Sequence, residues 1–282
     1  MDTVEISDST GKTRATINLK NSQLFSLRCH GREFMWGGGK LDDHKNIQER
    51  RGWQNSEIIM FPVIGALKDS RVKIGGRQYP MAQHGTCRYA GFTLSDLSDS
   101  KATFIQNYRA CSTVGHGQNI CSFPFGYSLK KTYTIESGEL HFSVDVANLS
   151  EEPMPFAIGW HPAFLIHSPA NPDQQFVRIG PSGKEIGIGA IKKKQSGEGS
   201  IVEPGSEAEY VFPHGKVLVS ARDLGFMQLW SPEDQGQICL EPISAPPDRN
   251  YDGELFAKQG YRTLAANSSA RFDFQITVSL PY

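Results

Sequence analysis

The sequence predicts an all-β protein, a large antiparallel sandwich with few or no long helices. Apolar and polar residues alternate with period two repeatedly along the chain. The 282 residues hold 28 glycines and 16 prolines, enough to supply many turns. No convincing helical pattern longer than about ten residues interrupts the alternation. A search for repeats with a period of about 20–50 residues finds none, which argues against propeller blades or a solenoid. The expected organisation is one domain over residues 1–282, a length that sandwiches reach.

In chain order, Thr13–Leu19 and Leu24–Cys29 read as strands, split by the polar Lys20-Asn21-Ser22-Gln23. Val72–Ile74 and Lys101–Asn107 follow. Tyr127–Glu136 alternates loosely, whereas Leu140, Phe142, Val144 and Val146 alternate strictly with polar or small neighbours, and Ser137-Gly138 between them suits a hairpin turn. Lys192–Gly205 mixes charge with Gly and Ser and reads as a surface loop. Val217–Ala221 and Phe226–Trp230 are further strands. In Arg271–Leu280, Phe272, Phe274, Ile276, Val278 and Leu280 oppose five polar residues, a strand with one wet face.

Composition excludes several classes of function. Lys plus Arg is 29 and Asp plus Glu is 30, a formal charge of −1 without the basic surplus that nucleic acid demands. No apolar run approaches the ~18 residues of a membrane span. The opening MDTVEISDST lacks the charged and apolar regions of a secretory signal. A cytoplasmic protein with no nucleic-acid or membrane partner is expected. The five cysteines, Cys29, Cys87, Cys111, Cys121 and Cys239, form no CxxC pair and are expected to be reduced and structural. HExxH, GxSxG, Walker and Rossmann patterns are missing. Gly37-Gly38-Gly39-Lys40 has no phosphate-loop spacing and reads as a loop.

Three polar residues stand at odds with their surroundings. In Pro155–Pro162, an extended backbone sends Phe156, Ile158 and Trp160 to one side and Ala157, Gly159 and His161 to the other. The small residues leave space beside the imidazole that a ligand can fill; the plain alternative is a histidine tucked under a loop. In Gln237–Pro242, Cys239 and Glu241 share a face, and Pro242 is expected to end the ladder, leaving a carboxylate at a strand end. The plain alternative there is an exposed rim glutamate. His84 precedes Gly85 after a strand, as turn histidines often do. Asp252 and Glu254 are too local and loop-like to be paired hydrolytic carboxylates.

Taken together and in this order, several segments resemble the aldose 1-epimerase (galactose mutarotase-like) family, closest to its bacterial aldose 1-epimerase-like branch. They are Glu33-Phe34-Met35-Trp36, Gln83-His84-Gly85 with Arg88, PFGYSLKKTYTIESGELHFSVDVANLSEEPMPFAIGWHPAF, and LWSPEDQGQICLEPISAPPD. The likeness runs from about Val4 to Leu280. It implies a β-super-sandwich with a sugar cleft on a concave sheet face, and no metal or organic cofactor. It also implies Glu241 as general base, His161 as general acid and His84 as a second histidine holding the pyranose. Where many members carry an arginine after an Ile-Gly pair, this chain has Ala66, so Arg71 or Arg88 is expected to take over that sugar contact. The family's sugar-binding aspartate has no placed counterpart.

The resemblance therefore implies an isomerase that interconverts the α and β anomers of a free hexose. Its partner is a monosaccharide (aldohexose) substrate, and the chain is a monomer or homodimer. The alternatives are a non-catalytic carbohydrate-binding or sensing protein, a hexose-6-phosphate 1-epimerase, and more distantly a polysaccharide lyase or hydrolase. Arg50 and Arg51, beside Glu49, read as a solvated charged stretch rather than a phosphate site. Trp53, Trp160 and Trp230 are candidates for stacking on a sugar ring.

Overall fold

The long strands Tyr127–Glu136 and Glu139–Asn148 form the hairpin that the alternation predicts, paired from Tyr127–Asn148 to Glu136–Glu139. Ser137 and Gly138 both take positive φ (53° and 83°), the backbone that a tight two-residue hairpin turn needs. This hairpin lies inside a nine-stranded sheet. Its order is Lys184–Gly187, Phe176–Gly180, Glu207–Phe212, Gly215–Ser220, Ser269–Ser279, Glu139–Asn148, Tyr127–Glu136, Lys101–Tyr108 and Thr93–Leu97. The computed structural model describes residues 2–37, 53, 55–167, 172–232 and 236–281. Gly38, Gly39, Lys40 and the Glu49-Arg50-Arg51 stretch lie outside them.

A second sheet runs Ile201–Pro204, Phe226–Trp230, Gln237–Ile243, Gly159–Trp160 and Ile59–Met60, with Ala163–Leu165 also paired to Gln237–Ile243. The ladders in both sheets are antiparallel. The main core lies between them, because the inward residues of both sheets are bulky and apolar. Trp160 of the smaller sheet stands 4.8 Å from the ring of Phe142 and 5.6 Å from that of Phe274, both on the larger sheet. Ile238 and Leu240 face the same core, as the alternation requires.

Two expectations are corrected. Lys192–Gly205 is not a loop: residues Ile188–Glu198 form a helix, and Ile201–Pro204 is an edge strand. The helix is anchored by Ile188 and Ile191, three residues apart and both buried, and Lys and Gln are good helix formers. Its apolar anchor starts before the charged, Gly/Ser-bearing window that suggested a loop. Pro242 also does not end its ladder, because Met227 pairs with Pro242 and Phe226 with Ile243.

The other side of that strand explains why proline is tolerated. Ala163–Leu165 pairs with residues 237–239 and Gly159 pairs with Ile243, so residues 240–242 have no ladder partner there. The chain that skips past them is Trp160-His161-Pro162. This interruption positions the site.

All five cysteines are free, with Cys111 exposed and the other four buried. No helix among the described residues is long and apolar enough to cross a membrane.

Candidate active site

Where the ladder is interrupted, the backbone of His161 is held by Ile58 instead, through His161 N–H to Ile58 O (2.9 Å) and Ile58 N–H to His161 O (3.3 Å). That places its imidazole Nε2 3.4 Å from Glu241 Oε1. Glu241 is fully buried, which excludes the exposed-rim alternative. Directly across the ladder, Gln228 donates Nε2–H to the other carboxylate oxygen at 2.7 Å. Two residues back on the same face is the buried Cys239. His161, Cys239 and Glu241 each offer one ligating atom, all within 4.8 Å of one another. A divalent cation held there would engage both His161 and Glu241.

His84 reaches the same place from a different turn. His84 and Gly85 take successive positive φ (68° and 76°). A Cβ at Gly85 would lie 2.4 Å from the Phe61 carbonyl oxygen, so glycine is needed there for both conformation and space. The His84 N–H donates to Gly65 O (3.0 Å) and its Nδ1 accepts the Gly65 N–H (3.2 Å). Nδ1 is therefore unprotonated, and the neutral ring carries its proton on Nε2. Its ring stands edge-on to His161, centroids 5.6 Å apart.

His84, His161 and Gln228 border a cavity of about 560 Å³ that is also lined by Trp53, Arg88 and Trp230, with Glu241 buried next to His161 and Gln228. Trp53 stacks on the His161 ring at 4.6 Å and 25°, and Trp230 presents an edge to it at 5.9 Å. Trp160 is not part of the cavity; it is a core residue whose indole N–H is held by Glu57. Arg71 is exposed at the first position of its strand and does not line the cavity. Of the five residues singled out from sequence, the fold thus gathers Glu241, His161, His84 and Arg88.

Burial governs the electrostatics. It raises the Glu241 carboxyl well above its ordinary range, against the opposing hydrogen bond from Gln228. It lowers the His161 imidazole to about 3, helped by the positive field of Arg88. His84 is lowered by burial, then by His161 and Arg88. A buried pair that disfavours both charges holds one proton between its two members across a wide pH range.

Three site features escape sequence reasoning. Gln228 shares a strand face with Phe226 and Trp230, but its pairing with Glu241 depends on sheet register, which alternation does not disclose. Arg249 lines the cavity from a loop without periodicity. Glu57 accepts hydrogen bonds from Lys131, Tyr133, Trp160 and the Leu24 N–H, all buried. Its one legible trace is Lys131, which occupies an inward rank with Tyr127, Leu129, Tyr133 and Ile135 and so demands a buried counter-charge.

A sequence profile of the aldose 1-epimerase family matches residues 2–179, a segment that carries His84, Arg88 and His161, with Glu241 beyond it. A galactose mutarotase-like protein from Lactobacillus casei matches with a TM-score of 0.80 at 25% identity, over 99% of this chain and 100% of that one. A galactose mutarotase related enzyme from Lactobacillus acidophilus gives a TM-score of 0.80 at 20% identity, over 99% and 97%. Plasmid-encoded protein LacX of Lactococcus lactis subsp. lactis is 26% identical over 166 residues, 53% of this chain and 50% of LacX. The chain spans about half the length of the curated relatives it matches.

Proposed function

Because the chain belongs to the aldose 1-epimerase family, a family of isomerases, we propose that it interconverts the α and β anomers of a hexose with a free anomeric hydroxyl, Glu241 serving as base and His161 as acid. The observation that carries this reading is the 3.4 Å separation of the His161 Nε2 and Glu241 Oε1 atoms beside a cavity. The two reacting oxygens of the sugar, O1 and O5, sit on one carbon, so donor and acceptor must be neighbours too.

Ring opening takes the proton from the C1 hydroxyl onto Glu241 while His161 gives a proton to O5. The C1–O5 bond breaks and an aldehyde forms. Rotation about C1–C2 and the reverse transfers close the ring on the other face. The step carries the pair from carboxylate and imidazolium to carboxylic acid and imidazole. Both arrangements hold the same number of protons, and burial favours the uncharged one. The low-dielectric site therefore stabilises the ring-opened side of the reaction. Before opening, the proton passes from Glu241 to His161 across their short separation.

His84 Nε2–H is left free by the Gly65 contact to donate to a sugar oxygen, and Arg88 supplies further donors. The chemistry uses no cofactor. A protein that only sensed sugar would have no need of a matched acid and base. Polarimetry on freshly dissolved α-glucose and α-galactose tests the proposal: the protein accelerates relaxation, and Glu241→Gln lowers turnover by about 10²–10⁴-fold. Equal relaxation by wild type and Glu241→Gln would remove Glu241 from the chemistry.

A further inference from the structure

Cys239 takes no part in the proposed ring opening, yet it stands at the acid–base pair. It is fully buried two residues before Glu241, and its Sγ, a His161 ring nitrogen and a Glu241 oxygen all lie within 4.8 Å of one another. Imidazole nitrogen, thiolate sulfur and carboxylate oxygen are the three donor types that zinc takes, at about 2.0–2.3 Å from the ion. Ligands arranged tetrahedrally at that reach stand roughly 3.3–3.8 Å from each other. His161 Nε2 and Glu241 Oε1 are already 3.4 Å apart. The thiol has to close by about 1 Å at most to complete the set.

The carboxylate is prepared for such a ligand. Gln228 Nε2–H holds Oε2 at 2.7 Å, while Oε1 is buried and accepts no hydrogen bond from any described residue. Metal sites orient a ligating carboxylate in this way, through a hydrogen bond from an outer residue. The charge also balances. A dication in a buried site needs two negative charges to offset it, and carboxylate and thiolate supply them while the imidazole stays neutral. Burial, and then Glu241, raise the Cys239 thiol, so it keeps its proton until a metal displaces it. On binding, that proton and the one shared by His161 and Glu241 pass to solvent, and three donor–metal bonds form in their place. His161 borders the cavity, which gives the ion a way in and leaves its fourth position to water.

We propose that His161, Cys239 and Glu241 form an inhibitory zinc site, in which the ion stops turnover by taking the acid and the base together. The effect on turnover rests on the epimerase reading; the binding does not. Magnesium and calcium, which take oxygen ligands, do not fit this donor set.

Anomeric exchange of glucose and galactose, followed by NMR during titration with zinc, tests it. Zinc at about ten times its Kd should lower turnover about tenfold. EDTA should restore activity, and magnesium or calcium in place of zinc should leave it unchanged. Cys239→Ala keeps both the acid and the base, so it should stay active while its inhibition needs at least about 10–100-fold more zinc, the loss that follows removal even of an outer partner of a metal ligand. Turnover untouched by zinc, or inhibited alike in wild type and Cys239→Ala, would overturn the proposal and leave the epimerase reading intact. A second measurement needs neither turnover nor a folded alanine variant. It is titration with cobalt(II) in a Cys111→Ser background, which removes the exposed thiol, read by thiolate-to-cobalt charge-transfer absorption. A band that saturates at one cobalt per chain and is abolished by zinc supports the site, and absence of the band overturns it. If no sugar relaxes faster than in buffer, the epimerase reading fails, and the cobalt absorption alone decides the metal site.

Discussion

The proton shared by Glu241 and His161 has a consequence for pH dependence. In the proposed mechanism, turnover needs one proton on the pair. Below the second protonation the carboxylate is lost as a base, and above the first the imidazolium is lost as an acid. Since burial lowers His161 to about 3 and raises Glu241, the two limbs move apart rather than together. The acid limb of kcat/KM is expected near pH 3, below the ordinary carboxylate value, with the plateau continuing upward until the raised carboxyl deprotonates. Exchange NMR across pH, corrected for the spontaneous rate, measures it; an acid limb at about 4.5 or higher would show that the pair titrates as solvated groups. Both residues were legible in the chain as candidates, but only the resemblance to the family set them above the plain alternatives. Their protonation was not legible, because it depends on burial that neither neighbourhood discloses.

At the level of secondary structure, the strands were largely readable, most clearly where one face is buried and the other is not, as in Tyr127–Glu136. Leu24–Cys29, Tyr127–Glu136 and Phe226–Trp230 fall where alternation puts them. What failed was local context: the Ile188–Glu198 helix was hidden by its charged half, and Pro242 stays in its strand because the neighbouring ladder is interrupted there. The same interruption admits the His161 imidazole, so an irregularity of the sheet creates the site. The turn carrying His84 is the second such device. Gly85→Ala would force a side chain into a left-handed backbone against the Phe61 carbonyl. A cost of roughly 1–3 kcal/mol is expected, seen as a lower unfolding temperature. KM should rise as His84 shifts, with the pH limbs unmoved because the Glu241–His161 pair is untouched. An unchanged melting temperature would mean that the turn is not constrained as described.

Across the whole molecule, the two sheets are joined near the site by more than apolar packing. Glu57 lies between them, taking hydrogen bonds from Lys131 and Tyr133 of the larger sheet and from Trp160 of the smaller one. Trp160 is bonded to His161, and Ile58, next to Glu57, holds the His161 backbone. The buried ion pair therefore couples the sandwich interface to the acid–base pair. It was invisible as a pair in the chain, since its members are 74 residues apart and Glu57 lies outside regular structure. Removing only the lysine should cost more than removing both charges. Lys131→Met leaves the Glu57 carboxylate buried without its cation, at a cost of about 3–5 kcal/mol. Lys131→Met with Glu57→Gln removes that uncompensated charge, so the double variant should be more stable than the sum of the two singles predicts, by roughly 0.5–3 kcal/mol. Urea unfolding of the four proteins at constant m-value reads the coupling. Additive effects would show that the ion pair does not couple the sheets, leaving the apolar contacts of Trp160 with Phe142 and Phe274 and the Ile58 hydrogen bonds to position His161.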